Sequence, residues 1–117
     1  MYLGETRQDK FVINVLNEKE NGCFVEIGSN HPININNTYL LEKFYRWKGI
    51  MIEYISSYLP MYIIVRPNSV HVIKDARIID YRELFVSNNI PSSIDYLQID
   101  LEVDNSSTLR TLQKIKL

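Results

Sequence analysis

Short apolar runs alternate along the chain with segments in which apolar residues recur at helical spacing. The runs are rich in Ile, Val, Phe and Tyr and are apolar on both faces, as is typical of buried parallel strands. They cover residues 23–28, 50–54, 70–73 and 94–101. The helical segments cover residues 9–20, 36–47, 56–65, 80–85 and 105–115. This order predicts an α/β fold with a mostly parallel sheet and right-handed crossovers.

The stretch 24–32 organises the chain, because a strand there runs into a glycine and a polar turn. His31 precedes Pro32, and the residue before a proline favours extended geometry. We therefore expect an irregular loop from residue 29 to about 36, with Asn36 or Asn37 as the N-cap of the next helix. Nucleotide-like ligands bind at such strand, glycine and helix connections in open α/β sheets, but a plain connection has the same pattern.

Acidic residues stand where three of the predicted strands end. They are Glu26, Glu53, Asp100 and Glu102. Glu53 lies about 25 residues after Gly28, close to the spacing at which an acid meets a ribose diol. A carboxylate suits two adjacent hydroxyls because it accepts two hydrogen bonds at once. The alternative for Glu53 is a solvated acid at a strand end.

The chain lacks both common phosphate-binding motifs, G-x-G-x-x-G and G-x-x-x-x-G-K-[ST]. Classical dinucleotide enzymes and P-loop NTPases are therefore disfavoured. An adenosine-containing ligand without phosphates fits the pattern better.

Composition indicates an ordinary globular domain over residues 1–117, with 45% apolar and 23% charged residues. The 13 basic and 14 acidic residues leave a net charge of −1, which gives no electrostatic footprint for nucleic acid or an anionic membrane. Cys23 is the only cysteine, so an internal disulfide and a cysteine zinc site are excluded. No apolar run approaches the roughly 18 residues of a membrane span, and no signal sequence is visible. We expect a soluble, cytoplasmic protein.

Five blocks of residues, in order, resemble the FkbM-type methyltransferases. The blocks are Gln8-Asp9 and residues 22–30, 47–54, 66–68 and 94–102. These enzymes use S-adenosyl-L-methionine and have a Rossmann-like sheet. The resemblance runs from about residue 8 to 112, and it implies strand order 3-2-1-4 with helices on both faces.

The resemblance also implies a role for each matching residue. Four residues match the motif that lines the methionine part of the cofactor: Glu26, Gly28, Ser29 and Asn30. Glu53 matches the acid on the ribose hydroxyls, and Asp75 and Ala76 match the segment beside the adenine. Asp100 and Glu102 match the acids of the fourth-strand motif, and Gln8 and Asp9 match a pair that packs over the site.

The chain departs from the family pattern in several places. Pro32 stands where a second glycine is common, Gln98 where a lysine is common, and Val103 where a glycine is common. The family sheet has order 3-2-1-4-5-7-6, and this chain lacks the last three strands. The fourth strand would then be an open apolar edge. Two explanations are open: the gene product is shortened, or a second copy of the chain covers the edge in a homo-oligomer.

The resemblance implies an S-adenosylmethionine-dependent methyltransferase that methylates a small-molecule or sugar-like hydroxyl. Candidate bases for such a reaction are Asp100, Glu102 and His31. One alternative is a shortened cofactor-binding module, or pseudoenzyme, without turnover.

A third hypothesis is a metal site. Asp100, Glu102 and Asp104 occupy alternate positions, so their side chains would face one side if the fourth strand continued through them. The simpler alternative is that they are strand-end acids in a turn. Tyr54, Tyr58 and Tyr62 lie at helical spacing and are interpreted as packing residues, with a second role for Tyr54 beside the adenine.

Overall fold

The chain forms an α/β fold around a four-stranded parallel sheet, as the sequence predicts. The computed structural model describes residues 8–34, 36–91, 93–100 and 107–115. The strands are β1 (Cys23–Ile27), β2 (Lys48–Glu53), β3 (Val70–Ile73) and β4 (Tyr96–Ile99). The helices are α1 (Gln8–Val15), α2 (Tyr39–Tyr45), α3 (Leu59–Val65), α4 (Tyr81–Ser87) and α5 (Ser107–Ile115). Two short 3-10 turns cover Ser56–Tyr58 and Ala76–Ile78.

The sheet has the strand order β3-β2-β1-β4, with every neighbouring pair parallel, which is consistent with a Rossmann-like fold. Alternate residues of the two central strands point to opposite faces, and each face is covered by its own helices. Phe24 and Met51 pack with Leu41 of α2 on one face. Val25 packs with Phe85 of α4 on the other face. Both central strands are therefore buried on both sides.

Two predicted boundaries of the first two helices are wrong, and left-handed residues or a nearby side chain explain them. Helix α1 ends at Val15 rather than near residue 20, because Asn17 and Glu18 adopt φ of 52° and 55°. Thr38 rather than Asn36 or Asn37 is the N-cap of α2. Asn36 instead accepts the Thr38 backbone N–H on Oδ1 at 2.9 Å.

Trp47 lies outside α2, although its spacing predicts a place on the apolar face of that helix. The helix ends at Arg46, which has a φ of 59°. The indole then turns into the core, where it is 1% exposed, and its Nε1 donates to the carbonyl of Lys19 at 2.8 Å. Trp47 thus fastens the start of β2 to the segment after α1.

Strand β4 is at one edge of the sheet and pairs only with β1 among the described residues. Leu97 in its middle is 41% exposed, and Phe11 and Val15 of α1 are more exposed still. A groove of about 340 Å³ lies between α1 and this strand. Within the described ranges, none of the helices has the length and apolar character that crossing a bilayer requires.

Candidate functional site

Strands β1 and β4 are neighbours in the sheet, and the helices that follow them lie on opposite faces, which makes their carboxyl ends the switch point where open α/β sheets bind ligands. The chain passes from β1 to α2 on one face, whereas α5, which follows β4, packs on the other. The backbone N–H of Asp100 donates to the carbonyl of Ile27 at 2.9 Å, so the two strand ends stay together up to this point. The candidate site is built at this edge.

The turn after β1 is fixed by backbone hydrogen bonds and by two left-handed residues. Gly28 has a φ of 84°, a conformation that glycine adopts without steric cost, and Asn30 has a φ of 55°. The N–H groups of Gly28 and Ser29 both donate to the carbonyl of Ile52, at 2.8 and 3.2 Å. The Asn30 side chain donates from Nδ2 to the Gly28 carbonyl at 3.2 Å. The sequence motif is therefore a defined turn, with Asn30 exposed at its tip.

Glu53 joins this turn to the end of β2. Its Oε1 accepts the backbone N–H of Asn30 at 2.8 Å, and its Oε2 accepts the N–H of Ile55 at 2.9 Å. The residue is 5% exposed. Each oxygen keeps a further lone pair, so the carboxylate can still accept hydrogen bonds from a ligand.

Tyr62 of α3 holds the other side of Asn30. Its hydroxyl donates to the Asn30 carbonyl oxygen, and its ring stacks on Tyr58 with the centroids 6.0 Å apart. Burial, followed by the charges of Glu53 and Glu26, raises the pKa of Tyr62 well above its usual value. The hydroxyl therefore keeps its proton and remains a donor.

Glu26 lies beneath the turn and is 2% exposed. Asn36 Nδ2 and Thr38 Oγ1 donate to its carboxylate at 3.2 and 3.1 Å, and both bonds end on Oε1. Oε2 lies outside that pair of bonds, and Ser29 also contributes a side-chain hydrogen bond to this carboxylate. Burial raises the pKa of Glu26, and the nearby guanidinium of Arg66 and these hydrogen bonds act in the opposite direction.

Arg66 is fully buried behind the same loop. Its Nε donates to Glu42 at 2.7 Å, and its Nη2 donates to the hydroxyl of Thr38 at 2.7 Å. Its Nη1 donates to Asn36 Oδ1 at 3.0 Å and to the carbonyl of Pro32 at 3.1 Å. A buried guanidinium is tolerated only when its donors are satisfied, and here every one of its nitrogens has a partner.

His31 sits in the loop and shapes it. Its Nδ1 accepts the backbone N–H groups of Ile33 and Asn34 at 3.1 and 2.9 Å. Both bonds use the lone pair of Nδ1. These bonds occupy the basic nitrogen, and the assignment of His31 as a base stays a prediction.

The segment after β3, expected beside an adenine, is held by its own ion pair. Asp75 accepts the backbone N–H of Arg77 at 2.9 Å and pairs with its guanidinium at 2.7 Å. Hydrogen bonds from Arg77 lower the pKa of Asp75 to about 2. Ala76 is buried, and its carbonyl accepts the hydroxyl of Tyr81 at 2.7 Å.

Tyr54 follows β2 and leaves 73% of its surface exposed, so it is not the packing residue that its spacing predicts.

The structure gives few contacts for the remaining predicted site residues. Asp100 directs an exposed side chain from the end of β4. Asp9 is fully buried in the first turn of α1, where it accepts the backbone N–H of Lys10 at 2.8 Å. Gln8 begins α1, and its side chain, like Glu102 and Asp104, lies outside the described residues. No metal-binding group of three or more His, Cys, Asp or Glu side chains occurs within the described residues.

The structure thus brings Glu26, Gly28, Ser29, Asn30 and Glu53 together at one edge. Sequence reasoning missed the residues that support them: Asn36, Thr38, Glu42, Tyr62 and Arg66. An available signal was the charge of Arg66 between apolar Ile64-Val65 and Pro67, at the predicted end of the third helix. Its loop partners come from more than 25 residues away, so no local spacing could have found them.

Comparisons of the chain with models of protein families, with curated proteins and with solved structures gave no match. The functional argument therefore depends on the site itself.

Proposed function

We propose that the chain binds S-adenosyl-L-methionine at the carboxyl edge of its sheet and acts as a methyltransferase on a small-molecule or sugar-like hydroxyl. The observation that carries the proposal is the pair of buried carboxylates, Glu26 and Glu53, beside the Gly28 turn at the switch point of the sheet. Two buried acids at such a switch point favour a ligand that is rich in hydrogen-bond donors.

The described residues fit the donor groups of this cofactor. Glu26 Oε2 would accept from an ammonium group, and Glu53 would accept from a pair of ribose hydroxyls beside the two backbone N–H groups it already holds. Tyr54 offers an exposed ring next to Glu53 for a flat heterocycle. Asp75 and Ala76 would border the same heterocycle from the end of β3, with the Asp75 carboxylate already paired to Arg77.

S-adenosylmethionine, when bound, supplies a methyl group activated by a positive sulfur. The protein's task is then to position the acceptor and to take up its hydroxyl proton. Asp100 lies at the end of β4 beside the switch point, and its exposed carboxylate is the described group best placed to receive that proton. Glu102 remains a second candidate, and the acceptor class stays a proposal from the family resemblance.

Isothermal titration calorimetry with S-adenosylmethionine tests the proposal, with a Glu26→Gln variant as the probe of the site. The amide of this variant retains an oxygen for Asn36 and Thr38, so the fold should persist. It loses the negative charge at Oε2, so we expect affinity to fall by roughly tenfold or more. Wild-type protein that gives no heat with millimolar ligand, or an unchanged Glu26→Gln variant, would overturn cofactor binding at this site.

A cofactor-binding module without turnover is the second candidate, and the state of His31 favours it. The basic nitrogen of that ring is bonded to two backbone N–H groups, which leaves Asp100 as the only predicted base that is both described and exposed. A methyl-transfer assay over a panel of hydroxylated acceptors separates the two functions. Binding without release of S-adenosylhomocysteine would support the module, and turnover lost in Asp100→Asn would support the enzyme.

A further inference from the structure

The loop between β1 and α2 is held in place by hydrogen bonds from Arg66, which follows α3. Helix α2 begins at Tyr39, well after Gly28, so the helix N-terminus is displaced from the glycine turn. The intervening loop contains Pro32 where the resembling family carries a glycine. The carbonyl of Pro32 accepts a hydrogen bond from Arg66 Nη1, so the guanidinium fixes the path that a flexible glycine would leave open.

We infer that Arg66 is a positioning residue for the ligand loop, holding Asn36 and Thr38 against Glu26 so that the other oxygen of Glu26 faces a ligand. The inference rests on the proposed function for the identity of that ligand. Arg66 contacts the two residues that donate to Glu26 Oε1, through Asn36 Oδ1 and Thr38 Oγ1. It therefore acts on Glu26 through an intermediate layer of side chains.

Glu42 completes the arrangement from α2. Its Oε1 accepts from Arg66 Nε at 2.7 Å and from the hydroxyl of Ser69 at 2.5 Å, and its Oε2 accepts the backbone N–H of Asn68 at 3.1 Å. Glu42 thus orients the planar fork of Arg66 and balances its charge. A lysine has one point charge and cannot reach all of these acceptors at fixed angles, so the guanidinium shape is required.

The arrangement also sets how Glu26 responds to pH. Besides burial, the pKa of Glu26 responds to the charge of Arg66 and to side-chain hydrogen bonds from Ser29, Asn36 and Thr38. The charge of Glu26 in turn contributes to the raised pKa values of Tyr62 from the α3 side and Tyr96 from β4. The pKa values of both tyrosines are raised by burial, so these rings stay neutral and the guanidinium is the charge that matters. Removing a donor to Glu26 must raise its pKa, whereas removing the charge of Glu42 must lower it.

The first experiment uses the protein alone. The carboxyl carbon of Glu26 is titrated by NMR in wild type, Thr38→Val and Glu42→Gln, and amide shifts of residues 28–30 are recorded in Arg66→Lys. Arg82→Lys, a change at an exposed site on α4, is the matched control. We expect the pKa of Glu26 to rise in Thr38→Val and to fall in Glu42→Gln, and the amide shifts to change only in Arg66→Lys. Unchanged shifts and titrations would overturn the inference, whatever the ligand.

The second experiment measures S-adenosylmethionine affinity between pH 5 and about 9 by calorimetry. We expect roughly tenfold weaker binding in Arg66→Lys and wild-type binding in Arg82→Lys. The acid limb of the affinity profile should move to higher pH in Thr38→Val and to lower pH in Glu42→Gln, opposite shifts that a loss of stability alone does not produce. If Arg66→Lys does not fold, the two other variants decide.

The two experiments separate failure of the inference from failure of the proposed function. Wild-type protein that does not bind S-adenosylmethionine overturns the proposed function, while the titration of Glu26 still tests the role of Arg66. Wild-type protein that binds, with Arg66→Lys and Thr38→Val binding equally well, overturns the positioning role and leaves the proposed function standing.

Discussion

The backbone N–H of Asn30 donates to the carboxylate of Glu53 at 2.8 Å, across the ends of two neighbouring strands. The same carboxylate accepts the N–H of Ile55, so one side chain fixes the loops that follow β1 and β2. Buried N–H groups need partners, and here a single acid supplies both. The residue expected to bind a ribose is therefore also the residue that shapes the turn beside it.

Replacing Glu53 by Gln should destabilise the fold, because an amide nitrogen would face one of the two backbone N–H groups. We expect a loss of about 1–3 kcal/mol in the free energy of unfolding, measured by urea denaturation. Glu83→Gln, an exposed acid on α4, is the control and should change the value by less than about 0.5 kcal/mol. Equal stability of wild type and Glu53→Gln would show that the carboxylate does not hold the two loops.

Gly49 lies in β2 where a side chain has no room. A Cβ at this position would overlap the carbonyl oxygen and the ring of Phe24 on β1. Gly49→Ala should therefore cost about 1–3 kcal/mol through overpacking, seen as a lower midpoint in thermal unfolding. Lys48→Ala, at the exposed start of the same strand, should leave the midpoint nearly unchanged, and a wild-type midpoint in Gly49→Ala would contradict this packing.

Asp75 makes the protein sensitive to acid. The folded state lowers its pKa from 3.8 to about 2, chiefly through hydrogen bonds from Arg77. Its stabilising contribution is present above the ordinary value and is lost as the pH falls through the folded value. Asp75→Asn should therefore flatten the stability profile between about pH 4 and 2, with a small effect because the pair is exposed and screened by salt. If the stability of Asp75→Asn falls with pH as steeply as that of wild type, Asp75 does not contribute to the acid sensitivity.

We propose that the edge of β4, which pairs only with β1 within the described residues, pairs with a second copy of the chain. Leu97 is partly exposed there. An apolar edge strand that contains neither a charged residue nor a proline favours pairing with another strand. Leu97→Lys should shift the protein toward monomer in sedimentation velocity at the same concentration. Val86→Lys, also an exposed apolar site but on α4, should retain the wild-type distribution. A wild-type protein that is monomeric at all concentrations would contradict the proposal.

The sequence predicts the architecture well because strand and helix signals in this chain are local. Val70–Ile73 forms β3 at the predicted residues, and Asp80 caps α4 through a bond from the Glu83 N–H. The helix ends were harder to predict, because Asn17 and Arg46 adopt left-handed conformations that the neighbouring sequence does not indicate. Tertiary contacts of Trp47 decide where the second strand begins.

The candidate site is only half visible in the sequence. Gly28 and Glu53 carry recognisable signals, because a positive φ and a strand-end acid have fixed positions in such folds. The role of Pro32 depends on Arg66, and the partners of Glu26 depend on how residues 29–38 fold back. A reader of the sequence sees those polar residues as a loop, whereas folding makes them the support of the site.

The most direct test of the account is the map of backbone amide shifts that S-adenosylmethionine produces in a nitrogen-15 spectrum of the protein. We predict saturable shifts at residues 28–30, at Tyr54 and at Asp100, which follow the carboxyl ends of β1, β2 and β4, and little change along α4. No saturable shift at millimolar ligand, or shifts confined to the surface around α4, would contradict the account.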